Sequence, residues 1–189
     1  MNDHETLFET RWLRLERIGH WDFVRRPHSN SCVGILAITP AGEIILVEQF
    51  RIPVQARVIE IPAGIVGDED EHRGESLAET AARELLEETG YRAGTMRSLL
   101  DTPTSAGMTS EIIHLFQATD LTREHSGGGV GAEEILVHHV PMAELGAWLG
   151  RQQAAGALID FKIHAALWLA GIDHNPPQRP TPCNERTGA

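Results

Sequence analysis

Arg83-Glu84-Leu85-Leu86-Glu87-Glu88-Thr89-Gly90-Tyr91 is the stretch on which the reading of this chain turns. It predicts the end of a helix, because glycine suits the left-handed position just past a helix C-terminus. Glu84 precedes Glu87 by three residues and Glu88 by four, so the three carboxylates share one side of that helix. Like charges at this spacing cost about 0.2–0.5 kcal/mol per pair. The negative end of the helix dipole opposes Glu87 and Glu88 by about 0.3–1 kcal/mol each. A sequence that needed only a helix would place Lys or Arg in this turn. The pattern therefore predicts a cation against that face, and carboxylate oxygens suit a hard divalent ion.

Working outward, the spacing predicts a helix over 76–89. Ser76 is its N-cap and Glu79, three residues on, completes a capping box. Ala78, Ala82, Leu85 and Leu86 are expected to form the apolar face, and Glu79, Arg83 and Glu87 an i,i+4 ladder that offsets part of the repulsion. The stretch 67–74 between two glycines reads as a solvated acidic loop. Apolar runs at 32–39 and 43–50 flank Pro40-Ala41-Gly42, a strand, turn and strand, and 57–61 is a short strand ended by Pro62. Further strands are expected near 96–100, 112–118 and 135–140, and helices over 141–153 and 160–169. Near-alternation at 9–17 and 20–25 around Gly19 predicts a β-hairpin. Beyond Gly171, prolines at 176, 177, 180 and 182 predict a disordered tail. The expected organisation is an N-terminal hairpin over 1–30, one domain over 31–171 and a tail over 172–189.

Composition excludes several classes. The 189 residues suit one domain with a sizeable core, and 41% hydrophobic content is that of a globular chain. A net charge of −11 argues against a nucleic-acid polymer as partner, though metal ions can carry small phosphorylated compounds into an acidic site. The two cysteines, Cys32 and Cys183, make no disulfide framework, so a cytoplasmic setting is expected. The polar residues 1–9 lack the apolar core of a signal peptide, and no apolar run approaches the ~20 residues of a membrane span. The ten histidines, His138-His139 included, show no metal-ligand spacing. Cys32 heads an apolar strand and reads as a small buried hydrophobe.

The helix closely resembles the box of the Nudix hydrolases: a glycine, a glutamate, seven residues, then R-E-apolar-x-E-E-x-G-apolar. Here these are Glu75, a seven-residue spacer, Arg83-Glu84, Leu85, Glu87-Glu88, Gly90 and Tyr91. The family's opening glycine lies six residues before the first glutamate, whereas its counterpart Gly64 lies eleven before Glu75. Five residues are inserted in the acidic loop, at little entropic cost. Glu48-Gln49-Phe50-Arg51 and Ile59-Glu60-Ile61-Pro62-Ala63-Gly64 are similar to the ADP-ribose and nucleotide-sugar pyrophosphatase branch, and the likeness runs from about residue 5 to 170.

That resemblance implies an α/β/α sandwich with a mixed sheet and an N-terminal hairpin used in dimerisation. It implies Mg²⁺-dependent cleavage, with Mn²⁺ as the alternative ion, of a diphosphate joined to a nucleoside. It assigns metal binding to Glu84, Glu87 and Glu88 and to the carbonyl of Ala63, with Arg83 orienting the glutamates. The base is expected on a glycine-rich loop before the last strand, where Gly127 to Ala132 lead to Glu133 and then Glu134; Glu133 is favoured. Arg51 is expected at a phosphate or terminal sugar and Glu60 near a ribose. The loop carrying Ser105, Ala106, Gly107 and Glu111 is expected to contact substrate, with Ala106 standing where ADP-ribose enzymes have proline. Trp12 and Trp21 lie where relatives stack a base across a dimer interface, and Trp21 is the candidate contact. The alternatives are hydrolysis of another nucleoside diphosphate derivative, such as a dinucleotide or damaged nucleotide, and a non-catalytic nucleotide-sugar sensor.

Overall fold

Alternation along the strands builds two cores. The computed structural model describes residues 4–67, 72, 74–129 and 134–173. In chain order it contains His4–Glu9 (β1), Arg14–Ile18 (β2), Trp21–Arg25 (β3), Ser31–Ala37 (β4), Glu43–Arg51 (β5), Ala56–Glu60 (β6) and Ala63–Ile65 (β7). Then follow Leu77–Thr89 (α1), Tyr91–Arg92 (β8), Thr95–Pro103 (β9), Ile112–Thr119 (β10), Thr122–Arg123 (β11), Leu136–Pro141 (β12), Leu145–Ala154 (α2), Leu158–Ile159 (β13) and Phe161–Leu169 (α3).

One sheet runs β7-β4-β10-β9, with β4 and β10 parallel and the outer pairs antiparallel. A second runs β12-β5-β6-β13, and the Ile38–Ile44 bridge ties the two together. Val33, Ile35 and Ala37 of β4 point to α1, where Ala81 and Leu85 meet them with Ile45, Phe116 and Ala118. Leu36, Ile44, Leu46, Ile59, Ile61, Ile113 and Leu115 pack on the other side against Leu145 and Leu149 of α2 and Ile163, Ala166 and Leu167 of α3. The result is the expected α/β/α sandwich with mixed sheets. No helix among the described residues is long and apolar enough to cross a membrane.

Three local readings need correction. The N-terminal element is a three-stranded antiparallel meander: β2 and β3 form the expected hairpin, and β1 adds a strand. The Thr10 hydroxyl accepts from the backbone N–H groups of Trp12 and Leu13, and this turn splits the predicted strand 9–17. On α1 the buried residues are Thr80, Ala81, Leu85, Glu88 and Thr89; Ala82 and Leu86 are only half-buried, so the packed stripe is rotated from the predicted one. The ladder also changes partner. Glu79 is held by the backbone N–H of Ser76 in the capping box, and Arg83 reaches back to Glu75 instead. The predicted tail begins inside the structure at 172 and 173; the rest, with Cys183, lies outside the described residues.

Candidate active site

The last two turns of α1 end against β7, and the backbone there is fitted to the glutamates. Gly90 takes φ 77° and closes the helix through its N–H to the Leu86 carbonyl. The backbone N–H of Ala63 donates to Glu88 Oε2 at 3.1 Å, and Glu88 is 5% exposed. Gly64 passes so close to Glu84 that a Cβ on it would lie 2.0 Å from the carboxyl carbon. Only glycine admits this approach.

Arg83 supplies the local countercharge. Its Nη1 lies 3.0 Å from Glu84 Oε1 and 2.9 Å from Glu87 Oε2, and its Nε donates to Glu75 Oε2 at 3.2 Å. Burial works to lower the guanidinium's affinity for its proton, but Glu84, Glu75 and Glu87 outweigh it and raise the pKa further. Burial likewise pushes the Glu75 carboxyl up, and the hydrogen bond and charge of Arg83 overcome it to hold it below the ordinary carboxylate range. One guanidinium thus offsets part of the like-charge cost that the bare sequence implies.

Glu84 and Glu88 line a cavity of about 160 Å³ with Ala63, Gly64, Ile65, Gln49 and Arg51. Gln49 and Arg51 reach it because they continue the face of β5 that begins with Ile45 and Val47. Arg51 Nε donates to Glu60 Oε2 at 2.6 Å, and Glu60 is buried. A neighbouring cavity of about 190 Å³ shares Arg51, Ala63, Gly64 and Ile65 and adds Glu60, Glu111, Arg26, Thr104, Cys32 and Lys162. There Glu111 accepts from Arg26 Nε at 2.9 Å and from the Thr104 hydroxyl at 3.2 Å. Cys32 is half-buried, and burial together with the Glu111 charge pushes its thiol up to about 12. The two cavities adjoin as one cleft through Arg51, Ala63, Gly64 and Ile65, with Glu84 and Glu88 on one side and Glu60 and Glu111 on the other.

The NUDIX domain model matches residues 28–162. The chain belongs to the Nudix family. It is 38% identical over 115 residues to the methanol dehydrogenase activator of Bacillus methanolicus, covering 61% of this chain and 58% of that one. It is 41% identical over 101 residues to the ADP-ribose pyrophosphatase of Bacillus subtilis (strain 168), covering 53% and 50%. With the GDP-mannose pyrophosphatase of Pectobacterium atrosepticum it shares 36% identity over 111 residues, 54% of each chain. This Nudix chain therefore spans only about half to three fifths of the length of these curated relatives. Among solved structures, a crystal structure of an ADP compounds hydrolase superposes with a TM-score of 0.70 over 89% of this chain and 90% of that one. At 22% identity, it shows the fold.

Against the Nudix box, the structure gathers Glu84, Glu88, Ala63 and Arg51 on one cavity. Glu87 lies beside it in the grip of Arg83. Glu60 and Glu111 line the adjoining cavity. Ser105, Ala106 and Gly107 line neither. Their loop is docked on the N-terminal sheet, where Val24 N–H donates to the Met108 carbonyl at 2.8 Å and Trp21 Nε1–H to the Gly107 carbonyl at 3.3 Å. Ala106 and Trp21 share a separate cavity of about 410 Å³ with Ile18, Phe23, Thr109 and Ser110. Glu134 is exposed, two residues before β12, and Glu133 lies outside the described residues. Sequence reasoning missed Gln49, Arg26, Thr104 and Lys162 at the cleft. For Gln49 the period-2 face through Ile45, Val47 and Arg51 was the available signal. The other three are far apart in sequence and offered none.

Proposed function

We propose that this chain is a divalent-metal-dependent pyrophosphatase acting on a nucleoside diphosphate sugar, with ADP-ribose the first candidate substrate. The products are a nucleoside monophosphate and a sugar phosphate. The observation that carries the reading is the single cavity lined by Glu84, Glu88 and the Ala63-Gly64 backbone together with Arg51. Those groups offer oxygen donors to a hard cation and a guanidinium to a phosphate.

The residues fit such an ion. Gly64 leaves no Cβ against Glu84, and Glu88 is held at the cavity by a backbone N–H. Among the described residues no three His, Cys, Asp or Glu side chains are grouped to hold an ion alone, so the reading requires the Ala63 carbonyl beside Glu84, Glu87 and Glu88. Mg²⁺, or Mn²⁺ in its place, supplies charge neutralisation for the diphosphate and lowers the pKa of water. Arg83 orients Glu84 and Glu87 through Nη1, which reaches both. Arg51, steadied by Glu60, presents its remaining N–H groups to phosphate or sugar. Glu133, or Glu134 beside it, accepts the proton of the attacking water. Oxygen from that water bonds to one phosphorus as the bond to the bridging oxygen breaks, and the bridging oxygen leaves on the other phosphate. Glu60 and Glu111 complete the substrate contacts at the cleft, and Trp21 with the loop of Ser105, Ala106 and Gly107 offers further contacts at the separate cavity.

The exposed Phe8, Trp12, Leu13 and Trp21 of the N-terminal strands and their turn support a homodimer through that element; a cytoplasmic setting is proposed on cysteine usage alone. Alanine at 106 keeps GDP-sugars and other nucleoside diphosphate derivatives as the second reading. A non-catalytic sensor is disfavoured because no box glutamate is missing. The deciding experiment offers ADP-ribose, GDP-mannose and a dinucleoside diphosphate with Mg²⁺ or Mn²⁺ and scores released phosphomonoesters. ADP-ribose is expected to turn over fastest. A folded protein that cleaves none of them is not this enzyme.

A further inference from the structure

The glycine run after β11 does more than loosen a loop. Gly128 N–H donates to the Glu88 carbonyl at 2.8 Å, and Gly129 N–H donates to the Glu87 carbonyl at 3.2 Å. Both carbonyls lie in the last turn of α1, where a helix leaves its acceptors unpaired. Gly127 lies against the same turn: a Cβ on it would stand 2.5 Å from the Glu88 carbonyl oxygen and from the Thr89 carbonyl carbon, with φ at +73°. The approach is closed from the other side as well. Glu124 N–H donates to the Gly90 carbonyl at 2.8 Å, and a Cβ on Gly90 would lie 2.2 Å from the His125 carbonyl oxygen. Gly127 N–H is itself held by His125 Nδ1 at 3.1 Å.

Two of the carboxylates proposed to hold the cation thus belong to residues whose own carbonyls are gripped by this loop. Donors on those carbonyls also counter the negative end of the helix dipole, which otherwise disfavours Glu87 and Glu88. The geometry points to Gly127-Gly128-Gly129 as a positioning latch for the metal-binding turn, setting the affinity of Glu87 and Glu88 for a divalent cation without touching it. The inference rests on the metal reading above. Partners that orient metal ligands typically change affinity by roughly 10–100-fold when removed.

The test compares Gly127→Ala with Gly156→Ala. Gly156 also has a positive φ, +98°, but a Cβ there meets nothing within 4 Å, so it carries the backbone strain without the helix contact. Mn²⁺ binding is measured by calorimetry and by electron paramagnetic resonance on the substrate-free chain. Gly127→Ala is expected to bind Mn²⁺ about tenfold more weakly than wild type, and Gly156→Ala to match wild type, although both lower the Tm of the metal-free protein. Equal Mn²⁺ affinity in Gly127→Ala and wild type overturns the latch alone. No Mn²⁺ binding by the wild type overturns the metal reading and the latch with it. Should Gly127→Ala not fold, amide exchange on the wild type decides: Mn²⁺ is expected to slow exchange at Gly128 and Gly129, and unchanged rates there count against the latch.

Discussion

Gly64 and Glu84 meet so closely that no side chain fits between them: a Cβ at Gly64 would lie 2.0 Å from the Glu84 carboxyl carbon and 2.2 Å from its Oε1. The strand β7 is thereby pressed onto the carboxylate face of α1, and the opening glycine of the motif has a steric reason. Gly64→Ala must displace either the strand or the glutamate. Overpacking of this kind costs about 1–3 kcal/mol. The expected result is a lower Tm and at least a hundredfold loss of kcat/KM on ADP-ribose; a variant retaining wild-type turnover would contradict the close fit.

Glu88→Gln tests the buried carboxylate. Glutamine keeps an oxygen acceptor for the Ala63 N–H while removing the charge. The metal-free variant should melt within about 1 kcal/mol of wild type, since one hydrogen bond is preserved. The rise in Tm on adding Mn²⁺ should shrink or vanish. Thermal scans with and without Mn²⁺ read both halves of this prediction.

Arg83→Lys asks whether shape or charge matters at the centre of the glutamates. Arg83 serves Glu84 and Glu87 through Nη1 and Glu75 through Nε, and a lysine presents one point charge. Hydrogen bonds to charged groups are each worth about 1.5–3 kcal/mol when partners stay buried, and these are partly exposed, so a loss of about 1–2 kcal/mol is expected. Urea unfolding of the metal-free chain measures it. A lysine variant as stable as wild type would show that charge alone suffices.

His139 sets an acid-side limit on stability. Burial, with the nearby Arg123 charge, lowers its imidazole below the ordinary 6.5, and its Nε2 lies 3.1 Å from the Tyr91 hydroxyl. The unfolded chain therefore binds this proton more readily than the fold does. The contribution of the neutral ring is fully present above about pH 6.5 and falls as pH drops from there through the folded value. His139→Gln should flatten the loss of Tm between pH 7 and 5. Parallel Tm–pH curves for the two proteins would refute the assignment.

Much of the site could be read before the fold was known, and the omissions have a common cause. The α1 cap, its glycine stop and the glutamate spacing depend on neighbours within about five residues, so pattern alone places them. Arg51 was placed by motif likeness, and its partner Glu60 lies nine residues away in the adjoining strand. The errors came where two local partners competed. Arg83 sits four residues from Glu79, yet Ser76 already holds Glu79 in the cap, and the guanidinium turns to Glu75. On α1 Leu85 is buried as expected, but Ala81 is buried rather than Ala82, because the sheet, through Val33, Ile35 and Phe116, selects which face is covered.

By itself, then, the chain determined a capped helix ending in three carboxylates and the strands around it. Those are short-range consequences of charge, capping and periodicity. Only the tertiary structure decided that Ala63 would hold Glu88 across 25 residues, that Gly64 would fit against Glu84, and that the glycines at 127–129 would close on the helix end. The reason is register. Such contacts exist only once β4 pairs with β7 and α1 packs on their face, and no spacing along the chain encodes where two backbones will touch.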